Sequence, residues 1–193
     1  MQYHTLQICG LERKLPLIQV GRHSKIAAFS ILGDVELTDV LADEMVLKIK
    51  NCKFLPAQAG KIDYIVGPEV KAVPLVHGVA KRLGHKRFVI CRKSIKPYMT
   101  SPIVVKPLSH FPKHVKPLVL NGPDAILLNG KKVFVVDDVI STGVTFRMIA
   151  YLMEKVGAEV VGYITAIKQG EQFDQLDNLI YIASLPVFKE TAS

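Results

Sequence analysis

The sequence predicts an α/β fold built on a parallel sheet, and three observations predict it. Short apolar runs rich in β-branched residues alternate with longer segments of helical period. Each run ends in a turn carrying glycine, charge or hydroxyl groups, which gathers the special chemistry at one end of the strands. The third observation is the stretch Val133 to Thr145. Four apolar residues lead into Asp137-Asp138, and a hydroxyl-rich turn, Ser141-Thr142-Gly143-Val144-Thr145, follows. With 49% hydrophobic residues in 193, the chain holds enough apolar side chain for one substantial core.

Taken in order, residues 1–25 are weakly patterned, with Leu15, Leu17, Ile18 and Val20 suggesting a short extended segment. Ile26 to Leu32 reads as a strand closed by a Gly33-Asp34 turn. A helix is expected from about Glu36 to Lys50, with Leu37, Leu41, Met45 and Ile49 near one face and Val40 and Leu47 widening it. Ile62 to Val66 is a strand ending in Gly67-Pro68-Glu69-Val70-Lys71-Ala72. The next helix carries Val76, Val79, Ala80 and Leu83 to a Gly84 cap. Phe88 to Cys91 is a strand that runs into Arg92-Lys93.

Residues 92–117 break the rhythm, with Pro97, Pro102, Pro107, Pro112 and Pro117 and no helical period. A connection of that length in a compact domain is a lid, a binding loop or disorder. Ile103 to Val105 and Leu118 to Leu120 can pair within it as a small ribbon. After Asn129-Gly130 comes the central strand, whose carboxylates sit where it should end. The helix after the turn shows Phe146, Ile149, Ala150, Met153 and Val156 on one face and closes at Gly157. Strands at Glu159 to Ile167 and Leu179 to Ile182 precede a polar tail. Four turns then converge on one mouth: Gly67 to Ala72, Arg92 to Lys96, Asp137 to Thr145 and Lys168 to Glu171.

A hydroxyl-rich turn feeding a helix presents unpaired N–H groups and a positive dipole end, a site for phosphate. Two carboxylates beside it would repel that phosphate, so sugar hydroxyls or a magnesium ion are their natural partners. The Gly-Lys-Ser/Thr ending of a Walker-type loop is absent. The formal charge of +8 needs a polyanionic ligand or a nucleic-acid surface. Its basic clusters (Arg13, Lys14, Arg22 and Lys25; Lys81 to Lys96; Lys106 to Lys116) do not form one run, and the middle one ends a strand, which favours a phosphate pocket. Cys9, Cys52 and Cys91 are odd in number and widely spaced, as thiols of a reducing compartment are. There is no apolar window long enough to span a membrane, and Met1 to Gly10 has no signal-peptide pattern.

The stretch from Val133 to Thr145 resembles the phosphoribosyl-pyrophosphate (PRPP) motif of the type I phosphoribosyltransferases. That motif is an apolar strand, two acidic residues, three small or apolar residues and Thr-Gly-Gly-Thr. Here Val144 stands for the second glycine, which is mild at negative φ and strained at positive φ. The resemblance covers about residues 26–170 and implies a single domain over 1–193. A central parallel sheet would be flanked by helices, with a hood at about 1–35 and a flexible lid loop at about 92–117. It implies catalytic roles for Asp137, Asp138 and Lys93, and a 5′-phosphate site at Ser141, Thr142, Gly143, Val144 and Thr145. Pyrophosphate would lie on Glu69, Val70, Lys71, Ala72, Arg92 and Lys93, with unusual backbone geometry near Val70-Lys71. Tyr98 and Met99 are placed to pack beneath the lid. Base contacts fall to Ile26, Gly33 and Lys168. Mg2+ enters with the substrate, with Asp137 as its one candidate protein ligand.

No protein nucleophile is needed, so His4, His23, His77, His85, His110 and His114 receive no catalytic role. The expected activity is purine phosphoribosyl transfer, adenine-type by overall layout, in a cytoplasmic homodimer with no membrane or nucleic-acid partner. A 6-oxopurine enzyme stays open, because a lysine such as Lys168 suits a base carbonyl. So does a non-catalytic PRPP or nucleotide sensor that touches RNA.

Overall fold

The computed structural model describes residues 1–21, 23–55, 62–107, 115–170 and 178–189. Arg22, His110, His114 and Glu171 therefore lie outside the described residues, as does the middle of the expected lid. The central sheet has the order β10-β9-β8-β4-β5, and each neighbouring pair is parallel. Its strands are β4 (Tyr64–Pro68), β5 (Val89–Cys91), β8 (Lys132–Ile140), β9 (Glu159–Gln169) and β10 (Leu179–Leu185). The α/β reading with a parallel sheet is what the chain adopts.

Helices cover both faces of this sheet, and the strand pattern shows why. In β8, Phe134 and Val136 enter the core shared with α1 (Val35–Asn51) and α2 (Val73–Arg82). Val133 and Val135 enter the core shared with α4 (Val144–Lys155). Successive side chains point to opposite faces, so an unbroken apolar run serves two cores at once. The α1 helix starts at Val35, one residue before the expected Glu36, and is capped by Asp34 of the preceding turn, whose side chain accepts from the Leu37 N–H. Its buried face is Leu37, Leu41, Ala42, Met45, Val46 and Ile49, while Leu47, expected to widen that face, is exposed. Pro74 opens α2, and residue 84 closes it with φ of 79°.

A second, antiparallel sheet has the order β1-β2-β3-β11. Strands β1 (Tyr3–Ile8) and β2 (Leu11–Gln19) form a hairpin across the two-residue turn Cys9-Gly10, both residues having positive φ (52° and 77°). Left-handed central residues give the turn a twist that suits the flanking strands. Strand β3 (Ser24–Ala27) joins β2, and β11 (Val187–Lys189) pairs with β3 from the far end of the described chain. The expected strand from Ile26 to Leu32 is therefore shorter, ends at Ala27, and belongs to this second sheet. The final tail, read as polar, holds β11.

Two further departures bear on the site. Strand β8 does not end at the carboxylates but runs through them to Ile140, because β9 keeps pairing alongside as far as Ile140↔Lys168. The segment after β5 is tied down at both ends. Strands β6 (Ile103–Val105) and β7 (Leu118–Leu120) form the expected ribbon, and Arg92 pairs with Val119 through two backbone bonds. A short helix not foreseen from sequence, α3 (Gly122–Leu128), follows β7.

Candidate active site

Strands β4 and β8 are neighbours from which the sheet grows in opposite directions, the place where open α/β sheets leave a crevice at their carboxyl ends. A cavity of about 620 Å3 opens there. It is walled by Pro68 to Ala72 after β4, by Lys93, and by Asp137, Asp138, Val139, Ser141 and Thr145 from β8 and its turn. Ile26 to Phe29 close it from the second sheet, and Ile167 and Gln169 from β9. The structure thus brings together residues more than 140 positions apart.

Asp137 and Asp138 are both 5% exposed. The Asp138 N–H donates to Asp137 Oδ1 at 2.8 Å, and Lys71 Nζ lies 2.9 Å from Asp138 Oδ2. Burial pushes the Asp137 carboxyl well above the usual carboxylate range, and the neighbouring Asp138 adds to it. The Asp138 N–H and Lys71 work in the other direction but do not prevail. So the site disfavours two ionised carboxylates side by side, and a cation or hydroxyl donors would relieve that.

Lys71 also donates to Phe29 O at 3.4 Å, reaching across the cavity mouth to the second sheet. The peptide between Glu69 and Val70 is cis, one bond ahead of the pair where unusual geometry is implied. Glu69 lines the cavity, but its carboxylate is already engaged. It pairs with Arg92 Nε, accepts from the Lys93 N–H, and its own N–H donates to Cys91 O. Arg92 is thereby held away from the cavity wall, whereas Lys93 forms part of it.

The turn 141–143 leads into α4 through Gly143, whose φ of 68° is the left-handed conformation that favours glycine. Val144 is the first residue of α4, so the missing second glycine falls at a helical position. The Val144 side chain packs into the core beneath α4. Ser141 and Thr145 line the cavity, while Thr142, Gly143 and Val144, expected at the same site, are not in its wall.

The implied base contacts divide. Ile26 lines the cavity, but Gly33 lies in the turn before α1, outside it. Lys168 is 5% exposed, with its Nζ 4.8 Å from the centroid of the Tyr181 ring on β10, and it is not in the wall. Strand alternation explains the outcome: Ile167 and Gln169 face the cavity and the residue between them cannot. Gln169 is the residue that sequence reasoning missed, and the same alternation is the signal that would have found it. Tyr98, expected beneath the lid, is exposed, and Met99 Sδ accepts from the Lys96 N–H. Cys91 is fully buried and its thiol is pushed up to about 12 by burial, so it is no nucleophile. Among the described residues no three His, Cys, Asp or Glu side chains gather to hold a metal ion.

The family described as "Phosphoribosyl transferase domain" matches residues 48–189. Ribose-phosphate pyrophosphokinase of Thermoplasma acidophilum is 30% identical over 135 residues, covering 65% of this chain and 40% of that protein. Orotate phosphoribosyltransferase of Acinetobacter baumannii is 26% identical over 147 residues, covering 74% of this chain and 56% of that protein. The chain spans about half the length of these two relatives. The crystal structure of adenine phosphoribosyltransferase from Thermoanaerobacter pseudethanolicus superposes with a TM-score of 0.58 at 25% identity, covering 80% of this chain and 84% of that one.

Proposed function

Because the chain belongs to the phosphoribosyl transferase domain family, we propose that it transfers the 5-phosphoribosyl group of PRPP to a purine base, adenine first, and releases pyrophosphate. The observation that carries this is the buried Asp137-Asp138 pair facing Lys71, in one cavity with the turn Ser141 to Thr145. The fold likeness to an adenine enzyme favours that base.

The residues divide the substrate among them. The 5′-phosphate sits in the turn 141–145, against the N-terminus of α4, where backbone N–H groups and the helix dipole favour an anion. The ribose hydroxyls donate to Asp137 and Asp138. The pyrophosphate lies on the loop after β4, with Lys71 and Lys93 as its cations. Lys71 then exchanges partners, leaving Asp138 for the pyrophosphate as the sugar hydroxyls take over the carboxylate. The ring nitrogen of the base gives its electron pair to C1 as the C1–O bond breaks, pyrophosphate leaves with that bond's electrons, and the ring N–H proton of the base passes to the leaving pyrophosphate or to solvent. Positive charge develops on the ribose, and two carboxylates at that place stabilise it.

The buried, adjacent carboxylates of Asp137 and Asp138 fit a divalent cation, but two carboxylates alone make an incomplete site. A magnesium ion would be held by Asp137 together with substrate oxygens, and when bound would supply charge neutralisation to the leaving group. The N-terminal sheet serves as a hood over the base and residues 92–117 as a lid that excludes water, which would hydrolyse the activated sugar. A cytoplasmic homodimer completes the proposal; no helix among the described residues is long and apolar enough to cross a membrane.

The test is pyrophosphate release from PRPP and Mg2+ with adenine, hypoxanthine, guanine, xanthine or uracil in turn. Turnover with a purine is expected, and Asp138→Asn should lower kcat by about a hundredfold or more. PRPP binding without turnover on any base would make the protein a sensor; absence of PRPP binding would end both ideas.

A further inference from the structure

We propose that Gln169 is the specificity residue for the base, selecting a purine with an exocyclic amino group over one with a carbonyl at the same position. The proposal deepens the transfer reaction proposed above and rests on it. Gln169 is 7% exposed, lines the cavity, and donates from Nε2 to Ala27 O at 3.4 Å, linking β9 to β3. A carbonyl partner requires a donor, so this contact sets which end of the amide is which. With Nε2 turned to Ala27 O, the atom offered to a ligand is Oε1, an acceptor. Rotating the amide would bring Oε1 against Ala27 O, two acceptors face to face.

Its neighbours in the cavity are those a flat heterocycle needs. Ile26, Ala27, Phe29, Val139 and Ile167 line the same space, and they are apolar. Gln169 is the amide in that wall, and the cations of the wall, Lys71 and Lys93, belong to the loops after β4 and β5. Distance along the sheet then orients the base. Asp137 pairs in register with Thr165, and Gln169 lies four residues further along β9, about 13 Å at ~3.3 Å per residue. A sugar carbon held at the carboxylates followed by the long axis of a purine spans that gap. The ring nitrogen that attacks faces Asp137, and the opposite edge of the base faces Gln169. Adenine presents an amino donor on that edge, which Oε1 accepts. Hypoxanthine and guanine present a carbonyl oxygen there, which Oε1 opposes. A site that hydrogen-bonds a substrate donor strongly rejects an analogue lacking it.

The experiment compares kcat/KM for adenine and hypoxanthine, with saturating PRPP and Mg2+, in the wild type, Gln169→Leu and Gln169→Met. Methionine keeps the side-chain length and volume. The ratio of the two bases is measured within one preparation, so loss of folded protein cancels. The wild type should prefer adenine by about a hundredfold or more. Both variants should lower the ratio at least about tenfold, with KM for PRPP unchanged. A wild type that prefers hypoxanthine, or an unchanged ratio in the variants, overturns the Gln169 assignment and leaves the transfer reaction standing. A wild type that releases no pyrophosphate with any base overturns the transfer reaction and the assignment together.

Discussion

Burial and an adjacent carboxylate hold Asp137 above the usual carboxylate range, and the consequence for stability has a definite sign. A carboxyl whose pKa is raised on folding binds its proton more tightly in the native state than in the unfolded one. Its stabilising contribution is complete below the unfolded value near 4 and is lost as pH rises through the higher folded value. Asp137→Asn removes that penalty while keeping an oxygen to accept from the Asp138 N–H. The variant is therefore expected to melt above the wild type at pH 8, with the gap closing as pH falls towards 4. Thermal melts across that range decide it; a gap independent of pH would show that ionisation of Asp137 is not what destabilises the free protein. The acidic pair and the glycine turn were legible in the sequence because their meaning is local: a carboxylate needs a donor and φ of 68° needs Gly143. Gln169 was legible only in part: alternation along β9 puts it on the opposite face from Lys168, but the arrival of β3 against it, 142 residues away in sequence, was not readable.

At the scale of elements, packing and surface charge are expected to differ widely in what they contribute. A Cβ added to Gly67 in β4 would meet Val76 Cγ2 at 2.3 Å and the backbone oxygen of Val136 at 2.5 Å. A backbone oxygen cannot turn aside, so Gly67→Ala must separate β4 from β8 or α2 and should lower stability by roughly 1–3 kcal/mol. Arg82 straps α2 to α1 through Asp39 and Asp43, both 2.6 Å away, but these carboxylates are largely exposed. Water screens such a pair, so Arg82→Met should lower stability by no more than about 1 kcal/mol. Urea titration of the two variants ranks them; equal losses would mean the close β4–α2 approach can relax. The long helices were readable from period and caps. The α3 helix, 7 residues long, is too short to display a period. The true end of β8 was hidden because β9, not β8, determines how far the ladder continues.

At the scale of the whole molecule, the cavity exists because two sheets meet, and β11 is what completes the second. Val187 pairs with Ile26, and the Phe188 ring lies 5.3 Å from that of His4. Deleting residues 187–193 should leave the central sheet intact by circular dichroism and KM for PRPP little changed, while KM for adenine rises about tenfold or more. Equal effects on both substrates would mean that the two sheets do not act as separate halves of the site. What the sequence by itself determined is the parallel α/β core, the order of its central strands and long helices, and the acidic, hydroxyl-rich stretch from Val133 to Thr145. Apolar period, turn chemistry and helix caps act over a few residues, so one stretch of chain carries them whole. Only the tertiary structure decided that Tyr3–Ile8, Leu11–Gln19, Ser24–Ala27 and Val187–Lys189 form one sheet, that Arg92 is taken by Glu69, and that Gln169 rather than Lys168 faces the cavity. Each of these is a pairing between distant segments, and which face or partner a side chain meets is settled only when the register of both strands is settled.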